Sequence, residues 1–169
     1  EIASCLVGSE MCIRDSQVTV AEASAQLGGR VLQESALPGL TAWKRVADYR
    51  ELWLRKAPNV ELYFDSSLSA RELLSFEIPH VYLATGADWR RDGISRSTPF
   101  SIEGIDSSTI FTPDDIFAGN MPRGKVTLFD DDNFYMGGVI AEQLVAAGCE
   151  VSLVTNDALV SPWTVYTME

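Results

Sequence analysis

Three groups of residues in this 169-residue chain have the types and spacing to do chemistry, and that chemistry is the holding of a nucleotide. The first is Glu22, an acid closing the strand-like run Gln17-Val18-Thr19-Val20-Ala21. A carboxylate at the end of the second strand of a dinucleotide-binding fold accepts hydrogen bonds from ribose hydroxyls. The second is Gly28-Gly29-Arg30-Val31, where two residues without Cβ let backbone approach a ligand and Arg30 offers charge-assisted donors to phosphate. The third is Ala84-Thr85-Gly86, a run of small residues at a strand end against which a cofactor can lie. Taken singly, each has a plainer reading: a solvated strand-terminal Glu, a Gly-Gly turn with a surface Arg, a tight loop. Their order and spacing together favour the nucleotide.

A fourth group argues by what it lacks. A pyridine-nucleotide site places glycines directly after its first strand, but Phe129 is followed by Asp130-Asp131-Asp132, with Gly137 and Gly138 arriving late. Like charges about 4 Å apart cost about 1 kcal/mol in water and several times more when partly desolvated, so three carboxylates facing a pyrophosphate disfavour NAD(P)H there. Thr155-Asn156-Asp157, after the next strand, supplies neither a well-placed ribose acid nor an Arg for a 2′-phosphate. No catalytic residue is expected. No serine has a base histidine, and the only histidine, His80, is read as packing at the start of an apolar strand. No metal site is expected either.

The elements that must position these residues follow from pattern. Strands are expected at Gln17–Glu22, Val60–Phe64, His80–Ala84 (buried), Lys125–Phe129 and Glu150–Thr155, from their β-branched and apolar runs. Ala42–Ala57 reads as a helix closed by Pro58, with Trp43, Val46, Ala47, Trp53, Leu54 and Ala57 as its core face. Ser69-Ala70-Arg71-Glu72 has the spacing of a capping box, and Thr112-Pro113-Asp114-Asp115 starts another helix. Gly138–Ala147 is a helix stopped by Gly148, and residues 88–111 read as a connection. Short apolar strands alternating with helices imply an α/β fold with parallel sheets.

Composition narrows the classes of function. The length excludes a (β/α)₈ barrel of about 250 residues beside a nucleotide unit. No apolar run approaches the roughly 20 residues that cross a bilayer. With 24 acidic and 13 basic side chains the net charge is −11, which repels nucleic acid and anionic lipid. Cys5, Cys12 and Cys149 are too few and too scattered for a disulfide framework, so a reducing cytoplasm is the expected compartment. Residues 1–16 show no sustained period and resemble the peptide made when a sequencing adapter is translated with a gene. They are read as a non-native leader to a fragment.

The run VTVAEASAQLGGRV, followed by LPGLTAW, DYRE, VYLATGADWRRDG, TPDDIFAG, KVTLFDDDNFYMGGVIAEQLVAAGCEVSLVT and SPWTVYTME, resembles the C-terminal nucleotide-binding region of the trimethylamine and dimethylamine dehydrogenases. These belong with histamine dehydrogenase and the dienoyl-CoA reductases to the old yellow enzyme superfamily. The resemblance covers residues 17–169. It implies a Rossmann-like FAD/NAD(P)-binding fold, here incomplete. The parent enzyme would carry FMN in a barrel, a 4Fe-4S cluster, and ADP where relatives hold FAD, and would pass electrons to an electron-transfer flavoprotein. By the same resemblance Glu22 is the ribose acid, Gly28, Gly29, Arg30 and Val31 line the nucleotide, Leu68 offers backbone to adenine, and Ala84, Thr85, Gly86 and Ala87 close the site. The family's first strand and Gly-rich phosphate loop have no counterpart in residues 1–16, so little or no affinity for ADP or FAD is expected of this chain alone.

The expected organisation is a leader at 1–16, a partial FAD/ADP-binding-like domain at 17–111 and a partial NAD(P)-binding-like domain at 112–169. The leading functional expectation is a fragment of an amine dehydrogenase-like flavin oxidoreductase that holds adenine nucleotide structurally. Two others stand beside it: a noncatalytic nucleotide-binding or interaction module docking a basic partner, and an FAD/NAD(P)H-dependent reductase such as a dienoyl-CoA reductase. Homodimerisation stays open.

Overall fold

In the computed structural model of the chain, residues 16–105 and 109–166 are described. The leader read at 1–16 lies, except for Ser16, outside them. The described residues pack as two compact units. One takes the chain up to Ala36 together with Leu40–Ala87; the other takes Leu37–Gly39 and the chain from Asp88 onward, so the described part of 88–111 packs with the second unit. Both units are α/β, and each contains one pair of parallel strands.

In the first unit β1 (Val18–Ala21) pairs with β2 (Val60–Tyr63), Val18 opposite Val60 and Ala21 opposite Tyr63. Between them run α1 (Gly29–Glu34), a 3-10 turn at Thr41–Trp43 and α2 (Lys44–Lys56). Ala57, ahead of Pro58, turns extended at ψ 119°, because the proline ring disfavours helical backbone in the residue before it. The capping box at α3 (Ala70–Ser75) forms as expected: the Ser69 amide donates to Glu72 Oε2 at 2.7 Å and the Glu72 amide donates to Ser69 Oγ at 3.4 Å.

Two expectations for this unit fail. The buried strand at His80–Ala84 does not form: the segment has no ladder, His80 is exposed, and Leu83 is 74% exposed. The core face assigned to α2 is only partly covered. Ala47, Leu54 and Ala57 are half-buried, whereas Trp53 is 60% and Val46 51% exposed. Two strands spaced about 4.8 Å apart make a floor no wider than one helix, so they shelter only part of the apolar arc of α2.

The second unit contains α4 (Pro113–Phe117), β3 (Lys125–Asp130), α5 (Tyr135–Ala146), β4 (Glu150–Thr155) and a 3-10 turn at Pro162–Tyr166. Strands β3 and β4 run parallel from Lys125 opposite Glu150 to Asp130 opposite Thr155. Met136, Ile140 and Leu144 recur every four residues on α5 and form the buried core with Ile116 and Cys149. The helix ends in a Schellman motif. The Gly148 amide, at φ 86°, donates to the Val145 carbonyl at 2.9 Å, and the Cys149 amide donates to Leu144 at 3.0 Å. Helix α5 begins at Tyr135, three residues ahead of the expected Gly138.

Candidate functional site

Glu22 follows β1 directly, and its backbone continues the sheet by one rung: its amide donates to Tyr63 at 2.8 Å and its carbonyl accepts from Ser66 at 2.9 Å. This holds the residue at the carboxyl edge of the strand pair, where ligands of α/β sheets lie. The side chain is only 5% exposed. Its Oε1 accepts from the Ser24 amide at 2.8 Å and from Ser24 Oγ at 2.7 Å. Burial pushes the carboxyl up and the hydrogen bonds from the Ser24 amide and hydroxyl pull it down; on balance the group sits below the ordinary glutamate range and is charged at neutral pH.

The Gly28-Gly29 pair opens α1 with left-handed backbone at both residues, φ 116° and 45°. The two glycines serve different ends. A Cβ at Gly28 would lie 2.8 Å from Leu32 Cγ and 3.2 Å from Ala47 Cβ, so this glycine permits α1 to pack on α2. A Cβ at Gly29 would meet nothing within 4 Å among the described residues, so its backbone faces open space there. Arg30 reaches across the first unit and donates from its guanidinium to the carbonyl of Ala87. That contact brings the Gly-Gly-Arg turn and the Ala84–Ala87 segment together. Ala84 is half-buried, whereas Thr85, Gly86 (φ 73°) and Ala87 are exposed. Val31 lines an apolar cavity of about 350 Å³ with Ala42, Trp43 and Val46. Leu68, partly exposed, stands just past the Asp65-Ser66 turn whose amides bond the Ser24 and Glu22 carbonyls at 3.0 and 2.9 Å. The described contacts therefore make two groupings. Glu22 lies with the turn that leads to Leu68, and Gly28–Val31 lies with Ala87.

The second unit's strand-to-helix loop is filled by its own carboxylates. Asp130, 4% exposed at the end of β3, accepts at Oδ1 from the Asp132 amide at 3.1 Å and the Asn133 amide at 3.3 Å. Its buried Oδ2 has no hydrogen-bond partner among the described residues. A Cβ at Gly137 would lie 2.4 Å from both Cγ and Oδ2 of Asp130, so the carboxylate stands against the bare helix backbone. Asp131 accepts from Ser97 Oγ at 2.7 Å and from the Ser97 amide at 3.2 Å. Burial raises the Asp132 carboxyl, and the nearby Asp130 and Asp131 add to this against the pull of Arg96. A dinucleotide pyrophosphate does not fit this loop, because the space beside the helix backbone is occupied and the charge is of the wrong sign. Among the described residues, no group of three or more His, Cys, Asp or Glu side chains is placed to hold a metal ion.

Sequence reasoning missed Ser24, which takes up one oxygen of Glu22, and the Asp130–Gly137 contact. The first has a local signal, a serine two residues past an acid at a strand end. The second joins residues seven apart through the start of a helix, and only the late position of Gly137 hints at it.

No family model matches the sequence. The chain is homologous to dimethylamine dehydrogenase of Hyphomicrobium sp. (strain x), 30% identical over an alignment of 164 residues that covers 92% of this chain and 22% of that protein. Among solved structures, histamine dehydrogenase from Rhizobium sp. 4-9 matches with a TM-score of 0.85 and 49% identity over 92% of this chain and 24% of that one. The 6-hydroxypseudooxynicotine amine oxidase of Pseudomonas geniculata N1 matches with a TM-score of 0.86 and 45% identity over 90% of this chain and 23% of that one. A 2-naphthoyl-CoA reductase, at 22% identity and a TM-score of 0.74, shares the fold. The chain thus spans under a quarter of the length of the relatives it matches, and the similarity it shows is to that part of amine dehydrogenases and an amine oxidase.

Proposed function

We propose that this chain is the nucleotide-domain region of an amine dehydrogenase-like flavin oxidoreductase, and that its first unit holds ADP, or FAD, as a structural ligand in an incomplete Rossmann-like fold. The observation that carries the reading is the charged, nearly buried Glu22 carboxylate at the carboxyl edge of β1–β2, in the same unit as the open Gly29 backbone and the Arg30–Ala87 contact. These residues fit a nucleotide in kind: an acid for ribose hydroxyls, a bare backbone for close approach and a guanidinium for phosphate. Gly28, Val31, Leu68, Ala84, Thr85 and Gly86 complete the proposed lining. FMN and a 4Fe-4S cluster belong, in this reading, to the rest of a longer enzyme, which supplies the redox chemistry and hands electrons to an electron-transfer flavoprotein. The crowding of Asp130 against Gly137 disfavours the alternative of an NAD(P)H-dependent reductase.

Calorimetry with ADP and FAD tests this on two proteins. A longer protein carrying this sequence is expected to bind ADP and to lose it in Glu22→Gln and Arg30→Ala. The 169-residue chain, lacking a Gly-rich phosphate loop, is expected to bind neither at micromolar concentration. No nucleotide in the longer protein refutes the assignment, and micromolar binding by the short chain refutes the need for that loop.

A further inference from the structure

Helix α2 carries an exposed apolar stripe at helical spacing. Val46, Tyr49 and Trp53 sit at i, i+3 and i+7, are 51%, 54% and 60% exposed, and the Tyr49 and Trp53 rings meet edge to face at 6.3 Å. Basic side chains rim it. Arg45 and Lys56 flank one side and Arg50 the other, its guanidinium over the Tyr49 ring at 5.7 Å. The helix holds five basic and two acidic residues, a net charge of +3 within a chain of net charge −11. At the end of the stripe Val46 also lines the apolar cavity of about 350 Å³ shared with Val31, Ala42 and Trp43. A stripe of this spacing with a hole at one end is how a helical surface receives a protruding side chain.

From this face we infer a docking site for an acidic protein surface, most simply an acidic helix, that inserts one aliphatic side chain into the cavity beside Val46. Charge and shape select this occupant. A symmetric pairing of two copies through α2 would set its positive rim against itself. A bilayer presents a flat surface and leaves the cavity beside Val46 unfilled. The cavity shares Val31 with the proposed nucleotide lining, whereas Val46, Tyr49 and Trp53 lie outside it, so loss of peptide binding in Trp53→Ala is distinguishable from loss of nucleotide in Glu22→Gln.

The probe is a synthetic Ala-rich peptide of about 25 residues, above the length at which isolated helices are marginal, with Glu residues spaced to avoid i,i+4 pairs and one central Leu, followed by fluorescence anisotropy on the 169-residue chain. The Leu peptide is expected to bind, and the same peptide with Ala in place of Leu is expected to bind at least about tenfold more weakly, the loss of one anchoring contact. Trp53→Ala and Lys56→Glu change exposed positions and are each expected to weaken binding with circular dichroism unchanged. Raised salt is expected to weaken it as well. The inference is overturned by equal binding of both peptides, by no binding, or by Trp53-dependent sedimentation with phosphatidylserine vesicles. A dimer in analytical ultracentrifugation that Val46→Asp abolishes also overturns it. So does slow amide exchange over Lys44–Lys56 in a longer protein carrying this sequence, with no partner present.

Discussion

Replacing Gly137 with Ala tests the claim that Asp130 occupies the space beside α5. Inside a helix, Gly to Ala ordinarily stabilises by about 1 kcal/mol, since alanine loses less backbone freedom on folding. Here the new Cβ would fall 2.4 Å from Cγ and Oδ2 of Asp130, against the roughly 3.5–4.0 Å at which carbon atoms rest in contact. The carboxylate cannot swing aside freely, because its Oδ1 holds the Asp132 and Asn133 amides at 3.1 and 3.3 Å. Overpacking of this kind costs about 1–3 kcal/mol, and loosening a buried hydrogen bond adds about 1 kcal/mol, so after the gain in propensity the variant is expected to lose about 2 kcal/mol. With a urea slope of about 2 kcal/mol/M the midpoint falls by about 1 M. The cycle with Asp130→Ala isolates the cause. In that background Gly137→Ala is expected to become stabilising by its propensity alone, giving a coupling of about 3 kcal/mol. A Gly137→Ala variant that is more stable than the parent chain, or a coupling below about 0.5 kcal/mol, refutes the contact.

Three further outcomes follow from the same geometry. Gly28→Ala places a Cβ 2.8 Å from Leu32 Cγ on left-handed backbone and is expected to destabilise by about 1–3 kcal/mol in denaturant titration, whereas Gly29→Ala, with open space around it, costs only its backbone strain of about 1 kcal/mol. Glu22 has a folded pKa below its ordinary value of 4.5, so it contributes stability that is present above that value and lost as pH falls through the lower, folded one; Glu22→Gln is expected to flatten the acid limb of a stability-against-pH curve. Asp132 has the opposite sign. Its folded pKa lies above 3.8, so ionisation works against the fold as pH rises through that range, and Asp132→Asn is expected to raise the thermal midpoint at pH 7 and leave it unchanged near pH 3.

The elements that could be read from sequence are those whose signal is local. Lys125–Asp130 and Glu150–Thr155 are runs of β-branched and apolar residues separated by a helix and a Gly stop, and they form a parallel pair in register. The Ser69–Glu72 box marks a helix start because it satisfies free amides within one turn, and Pro113 marks another because it lacks the N–H that would go unpaired there and its ring presets a helical φ. The His80–Ala84 segment has an equally good strand pattern and forms no strand: a pattern does not supply the pairing partner a ladder needs, and among the described residues none pairs with it. Helix α1 went unread, since a Gly-Gly pair signals a turn and these six residues are short of any period. For the candidate site, Glu22 could be placed at a strand end from the pattern alone, whereas its capture by Ser24 and the reach of Arg30 to Ala87 could not.

By itself the sequence determined the α/β character, the parallel pairing and the acid at the end of β1, because β-branched runs, helical periods and capping residues act over a few neighbours. Only the tertiary structure decided which apolar residues are covered, which glycine is needed for packing, and that the second unit's loop is closed by Asp130. Those outcomes depend on residues brought together from distant positions and on how wide a sheet lies beneath each helix. A narrow floor of two strands leaves Val46, Tyr49 and Trp53 facing outward on a helix whose sequence reads as a core element.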